Sequence, residues 1–556
     1  MKKKILTFFP YNTIWKFNIQ EKSIINSLVT MGYHVDNLVC DKFMKTSCIA
    51  MTMQPTKKKQ NDICKNCFKN RDYFKNKKVN NISIKKNENQ KELINIKNLN
   101  NISLINFKTR GFEIGKICAH DLILTNKANN FLFDKKTFSQ LREKILICLS
   151  LLDKLDEINA KDYGVVFSTN GMYSVCRLFQ QYFLKKGIKA FSVLHSLNYN
   201  IEHHEIQIVN NDIQYYQYLK SKWNKIKKYK ISYEAIQRVF GKLKMLYLCL
   251  HSHTFSIGKT NRDINKIFKI EKKKIVLVTL GSYDEIMAST SLGLYGKFKR
   301  DRIFKNQIDW INFLIKNFKN NKNICFIIRV HPREYHKFKS KHFYELMKLK
   351  KNMPKNFFFD GPGQNISLYD YIGKIHLVLN SWSSVVAEFG CMGIPTFSYS
   401  HFSRFPLSID YHCKNKTDYL NKIKIAINEK SKDRSITRKI NYYRYLSFLT
   451  YYSSVDIKIT KIFKVSYSGK IIYFFRKLYL NIIVKYFHFL VNDKLVLVNN
   501  DFRYLNSLIS SKNNNFFLMK IKNDNGTKIN ENKLILSNLN LLKNKLKIKA
   551  KYESSF

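Results

Sequence analysis

The sequence predicts an α/β chain of two Rossmann-like units followed by a basic helical extension. Two observations carry this. Between Lys274 and Pro395 three pieces share one grammar: KIVLVTLGSYDE, NICFIIRVHPRE and HLVLNSWSSVVAEFGCMGIP are each a short apolar, β-branched run ending in a turn of small or charged residues. Continuous apolar runs of this length suit strands covered on both faces, as in a parallel sheet between helix layers. The chain also opens on a strand (KILTFFP), a helix ending near Gly32 and a second strand (YHVDNLVC). It repeats that grammar in YGVVFSTNGMYSV to FSVLHS, a βαβ unit.

Ligands of such sheets sit at the carboxyl ends of the strands. Here those ends carry Gly281, Ser282, Asp284 and Glu285, then Arg329, His331 and Glu334, then Asn380, Ser381, Ser383 and Ser384. Ser383 and Ser384 open a predicted helix, whose first N–H groups and dipole suit a phosphate. A plain N-cap is the competing reading. Glu388, one turn further, is placed to accept hydrogen bonds from a ribose. Arg329 offers a forked cation to phosphate, and His331 offers a hydrogen bond or proton. Asp284 or Glu285 could act as a base or orient a substrate.

IIRVHPRE followed by LNSWSSVVAEFGCMGIP resembles the bacterial capsular-polysaccharide biosynthesis proteins, glycosyltransferases of the GT-B type. GSYDE and the helix QIDWINFLIKNF from Gln307 are similar to that family as well. The resemblance implies two Rossmann-like domains facing a cleft, with a nucleotide-sugar donor held by the second. It further implies a polysaccharide or lipid-linked acceptor, and no catalytic metal, since cations and a helix dipole replace one. His-Pro and Ser-Ser motifs also occur in sialyl- and polyol-phosphate transferases, so a CMP or CDP donor stays open. The Asn170-Gly171 turn resembles the family's acceptor-side contact. The family's next strand continues with Glu and Gly, where this chain has VLHSLN, so His195 stands where that role would fall.

Taken in order, residues 1–265 are expected to form the acceptor domain, 266–435 the donor domain and 436–556 the extension. Cys40, Cys48, Cys64 and Cys67 are spaced C-x7-C-x15-C-x2-C. They read as a structural zinc site, as unrelated reduced thiols, or as a redox pair at Cys64 and Cys67. The Lys/Asn-rich segment 68–103 reads as a mobile insertion. His203, His204 and Glu205 sit in a polar loop and read poorly as a metal cluster. Gly469–Val491, aromatic and basic, reads either as a helix lying on an anionic membrane or as a core helix, and 510–556 as a partly disordered tail.

The net charge is +58, from 98 basic and 40 acidic residues. That balance favours an anionic partner such as an acidic membrane surface or polyanion. A nucleic-acid-binding protein is the rival class, but no finger, RNP-like or helix-turn-helix pattern is present and the basic residues are spread throughout. MKKKILTFFP lacks the length and cleavage site of a secretory signal, and no apolar stretch reaches the roughly 20 residues of a spanning helix. The expected location is cytoplasmic, peripheral on the inner face of the membrane.

Overall fold

Two sheets organise the chain. The computed structural model describes residues 4–553 apart from 13–14, 46, 53–56, 74–75, 88–95, 97–98, 129–130, 132, 196–204, 210–222, 248–261, 271, 294–302, 336–339, 362–363, 365, 382, 400–412, 431, 459–495, 498 and 511–529. The first sheet contains β1 (Lys4–Phe8), β2 (Val35–Cys40), β3 (Asn80–Ile84), β4 (Tyr163–Thr169), β5 (Lys189–His195) and β6 (Glu205–Val209). The second contains β7 (Lys274–Thr279), β8 (Ile324–Arg329), β9 (Phe357–Asp360), β10 (Leu377–Asn380) and β11 (Thr396–Ser398). Two further strands, β12 (Ser454–Lys458) and β13 (Val496–Leu497), return to the first sheet.

The first sheet runs β13-β12-β6-β5-β4-β1-β2-β3 and the second β11-β10-β7-β8-β9. The second is parallel throughout. In the first, β3, β2, β1, β4 and β5 are parallel and β6, β12 and β13 are antiparallel additions. Both are doubly wound. Each chain order starts in the middle of its sheet, moves outward, then jumps to the other side of its first strand. That jump creates a switch point between β1 and β4 in the first sheet and between β7 and β10 in the second. Two Rossmann-like lobes of the GT-B type, as expected, are therefore present.

The helices follow their apolar spacing. In α1 (Trp15–Thr30) Ile24, Ile25 and Leu28 are buried on one face, and Gly32 at φ 77° ends the turn after it. Two helices flank the first lobe, α2 (Lys57–Tyr73) and α3 (Ile114–Asn126). In α4 (Lys135–Asp156), capped by Asp134 on the Thr137 N–H at 2.7 Å, a stripe from Leu141 through Ile145, Cys148 and Leu152 to Leu155 is buried. Together with α5 (Ser174–Lys185) these helices cover the first sheet. The lobes touch where α3 packs against α7 (Tyr283–Ser291), the helix that follows β7. Ala288 of α7 is buried within the first lobe's core.

Three expectations change. Segment 68–103, expected as a mobile insertion, holds the end of α2 and then β3, an edge strand aligned with Asp36–Cys40. Polar NNISI was not legible as a strand because only one face of an edge strand is covered. The boundary at 435 falls inside a helix, Lys432–Ser447, and the 436–556 segment does not stand apart: β12 joins β6 of the first lobe. Within 510–556, expected as partly disordered, Glu531–Glu553 is a helix whose Ile535, Leu539 and Leu542 are buried in the second lobe's core. That i, i+4, i+7 spacing is a helix face hidden among lysines. Gly469–Val491, His203 and His204 lie outside the described residues.

Candidate functional site

The β7/β10 switch point is the place where an open α/β sheet presents a crevice to ligand, and the predicted residues gather there. The Gly281 N–H donates to Ser381 Oγ at 2.8 Å, and Gln307 Nε2, from the first turn of α8 (Gln307–Phe318), donates to Gly281 O at 3.0 Å. The turn after β7 is thus clamped from both sides. Asn380 ties the crevice together: its Oδ1 accepts from Thr279 Oγ1 at 2.9 Å and from the Ser383 N–H at 3.1 Å, while its Nδ2 donates to Ser398 Oγ at 3.2 Å. Gln307 is fully buried, and sequence reasoning noticed only its helix. A polar residue opening an apolar helix was the available signal.

His331 follows β8 on the other side of Gly281. Burial pushes its imidazole down to about 4, helped by Arg333, Lys127 and Arg329 and opposed by Asp284. The ring is therefore neutral at pH 7. Its Nδ1 accepts the Arg333 N–H at 3.3 Å, so the proton resides on Nε2, a hydrogen-bond donor.

Beside it lies an ion cluster. Arg333 Nη2 bonds Asp284 Oδ2 at 2.8 Å, Arg333 Nη1 bonds Glu285, and Ser282 Oγ donates to Asp284. Lys127, at the end of α3 in the other lobe, places its Nζ 3.7 Å from Asp284. Asp284 and Glu285 are thus engaged by cations in this closed arrangement. No local pattern marks Lys127 in the sequence, because its partner is more than 150 residues away.

Arg329 turns elsewhere than expected. Its guanidinium pairs with Asp360 and donates to Ile366 O at 3.0 Å, both away from the Ser383–Ser384 turn. Arg329 and Asp360 are register partners on neighbouring strands, so their side chains share one sheet face. Ser384 Oγ donates to Glu388 Oε1 at 3.1 Å, and Tyr369 OH donates to Oε2 at 3.0 Å. Burial raises the Glu388 carboxyl. The helix that Ser384 opens is short, Val385–Gly390.

The β1/β4 switch point carries the other predicted turn. Asn170 has φ 20°, and the Gly171 N–H donates to Ser192 Oγ at 2.9 Å. A Cβ at Gly171 would lie 2.3 Å from Gln180 Oε1 and 2.6 Å from Ser192 Oγ, so the turn needs glycine there. Thr169, ending β4, donates to Glu21 of α1. His195 closes β5, where its backbone pairs with Ile206. Glu205 opens β6, fully buried and paired with Arg238.

Burial pushes the Glu21 carboxyl from 4.5 up to about 8. An acid whose folded pKa is raised contributes its stability below the unfolded value and loses it as pH rises through the folded one. Wild-type protein should therefore lose thermal stability relative to Glu21→Gln between about pH 4.5 and 8, read as a widening Tm difference. Parallel Tm profiles across that window would contradict the assignment.

None of the four predicted zinc ligands is in a disulfide. They lie close enough that Cys67 feels Cys40, Cys48 and Cys64, and burial pushes the Cys40 and Cys67 thiols up to about 12. Cys67 donates instead to Pro10 O at 3.8 Å. Among the described residues no group of three or more His, Cys, Asp or Glu side chains is arranged to hold a metal ion, so the donor set does not fit the predicted zinc. Spacing brought the thiols to one neighbourhood without setting a tetrahedron. Among the described residues no helix is long and apolar enough to cross a membrane.

No family model matches the chain, and no curated protein matches it. Solved structures similar to it include the Methanocaldococcus jannaschii UDP-GlcNAc 2-epimerase in complex with UDP-GlcNAc and UDP, at 14% identity and TM-score 0.28, over 81% of this chain and 99% of that one. The Neisseria meningitidis UDP-GlcNAc 2-epimerase bound to UDP-GlcNAc follows at 10% identity and TM-score 0.27, over 80% and 94%. The spinosyn rhamnosyltransferase SpnG complexed with thymidine diphosphate has 9% identity and TM-score 0.25, over 80% and 96%. The two-lobed α/β architecture stands on the strand order and register of the chain itself.

Proposed function

We propose that the chain is a glycosyltransferase that moves a sugar from a nucleotide-activated donor to a surface-polysaccharide or lipid-linked glycan acceptor. The observation that carries this reading is the pair of switch points. One crevice per lobe suits a reaction with two substrates, the donor at β7/β10 and the acceptor at β1/β4. In the transfer the bond from sugar C1 to the phosphate oxygen breaks as an acceptor oxygen bonds C1. The electron pair leaves with the nucleotide, and the acceptor proton passes to a base. On this reading the His331 Nε2–H and the Ser384 N–H face the negative charge that develops on the departing phosphate, the kind of preorganised stabilisation that dominates such reactions, while the Ser383 N–H stays on Asn380. Glu388 and Asn380 hold the turn on which the nucleotide rests. His195, at the carboxyl end of β5, is the acceptor-side base on this reading, while Asp284 and Glu285 fix Arg333 beside the donor. The net charge of +58 favours an anionic acceptor or membrane surface.

The test is a thermal-shift comparison with UDP, GDP, CMP and CDP, each alone and as a sugar conjugate. One nucleotide should stabilise by about 2.7 kcal/mol at a hundred times its Kd, and the responding base names the donor class. His331→Ala should weaken that binding by roughly 10- to 100-fold, the worth of a hydrogen bond to a charged group. If no nucleotide shifts the Tm while DNA binds with steep salt dependence, the transferase reading fails and the nucleic-acid rival stands.

A further inference from the structure

The first lobe contains a cavity that the donor site does not use. It measures about 220 Å³ and lies between α1, α2 and the β2–β3 edge of the sheet. Phe9, Ile25 and Val39 supply an apolar wall, and Asn18, Asn37 and Asn81 supply amides. Those amides are held in place. Asn37 Oδ1 accepts from Thr7 Oγ1 at 2.8 Å, Asn37 Nδ2 donates to Asn81 Oδ1 at 3.1 Å, and Asn18 Nδ2 donates to Asn70 O at 2.9 Å.

Glu21 also lines the cavity and is 3% exposed. Its Oε1 is taken by Thr169, and its Oε2 has no partner among the described residues. A buried polar atom left unpaired is destabilising, so a ligand atom at Oε2 removes a standing penalty. Because the carboxyl is protonated at neutral pH, it can donate to a ligand oxygen. Two cations also line the cavity: Arg71, whose Nε lies 3.4 Å from Asp72 Oδ1, and Lys22, whose ammonium burial lowers to about 8 and which keeps most of its charge at pH 7.

An amide-rich wall facing an apolar one rejects a hydrocarbon, which would strand the amides without hydrogen bonds. A pyranose ring satisfies both walls, its hydroxyls on the amides and carboxyl, its C–H face on the apolar side chains. The volume is below the roughly 300–1,000 Å³ of drug-sized sites, in keeping with a single ring. Phe9 follows β1, and Glu21 accepts a hydrogen bond from Thr169 at the end of β4, so the cavity borders the first lobe's switch point.

We propose that this cavity binds one monosaccharide unit, with Glu21 and the neighbouring amides as its hydrogen-bonding groups. Assigning that unit to the acceptor rests on the transferase reading above; the binding itself does not.

The experiment is saturation-transfer NMR on the full chain with D-glucose, D-galactose, N-acetyl-D-glucosamine and D-glucuronate. At least one of the four sugars should bind. Glu21→Leu should weaken that sugar at least 10-fold, whereas Glu21→Gln, which still donates and accepts, should stay within about threefold. Should Glu21→Leu fail to fold, Ser83→Trp is the second variant. Ser83 lies at the exposed rim, and the indole should plug the cavity with the circular dichroism unchanged. Nucleotide stabilisation, measured in parallel, should be unaffected by any of these substitutions, so loss of nucleotide binding and loss of sugar binding are separate results. No binding of any of the four sugars, or binding by folded Glu21→Leu or Ser83→Trp equal to wild type, overturns the proposal.

Discussion

Asp121→Ala is expected to destabilise the protein by about 3–5 kcal/mol, the largest effect of any single substitution considered, because it strands a buried charge. Asp121 is 1% exposed. It accepts from Lys144 Nζ at 3.1 Å, from Ser174 Oγ at 2.6 Å and N at 3.2 Å, and sits 2.9 Å from His120 Nδ1. Burial alone would raise its pKa, but Lys144, His120 and Ser174 outweigh that and hold it at about 2. The contribution is therefore full above the unfolded value of 3.8 and fades as pH falls through 2. The network pins the start of α5, just after the Asn170–Gly171 turn, so its loss should also loosen the β1/β4 crevice. The double variant Asp121→Leu/Lys144→Met removes both charges and should recover most of the loss. Urea unfolding of wild type, Asp121→Leu, Lys144→Met and the double variant, with Asp121→Ala beside them, decides the matter. A double variant no better than Asp121→Ala would mean that packing, not charge, sets the cost.

Arg238→Met should cost about 3 kcal/mol for the same physical reason, with a different consequence. Arg238, on the helix Tyr233–Tyr247, bonds Glu205 on β6 and reaches Asp456 on β12, with Nη1 to Oδ1 at 2.9 Å. Removing the guanidinium takes this cation from the fully buried Glu205 and the partly exposed Asp456, which are register partners on adjacent strands. Two like charges on adjacent antiparallel strands repel. The β6–β12 pairing should open first, so hydrogen exchange at the Val455 and Ile457 amides should accelerate more than at β4. Adding Glu205→Gln to Arg238→Met should restore part of the loss. Uniform acceleration across both strands would show a global effect instead.

What the sequence made legible follows burial. β4, β7, β8 and β10 are apolar runs closed by recognisable turns, and each appears where the pattern placed it. The crevice residues Gly281, Asn380 and His331 were legible for the same reason, since they occupy the position just after such a run. β3 was hidden because an edge strand has one covered face and reads NNISI. Arg329 was misdirected because strand periodicity gives a side chain's face only relative to its neighbours, and Asp360 had no visible pairing with it. Lys127 and Gln307 were missed because their partners are remote, and spacing along a chain does not encode contact across lobes.

The return of β12 to the first lobe has a consequence for synthesis. β6 ends at Val209, and the strand that covers its open edge begins at Ser454. A ribosome working at 5–20 residues per second needs roughly 12–50 s to deliver those intervening residues. During that interval the emerging lobe presents a bare strand rich in β-branched residues, EIQIV, beside a carboxylate whose arginine must still fold into place. Unpaired edges of that kind recruit other chains. Expression of residues 1–265 alone should therefore yield aggregate, whereas the same segment supplied with 454–510 on a second chain should stay in solution. The first lobe, first to be made, is the last to be finished.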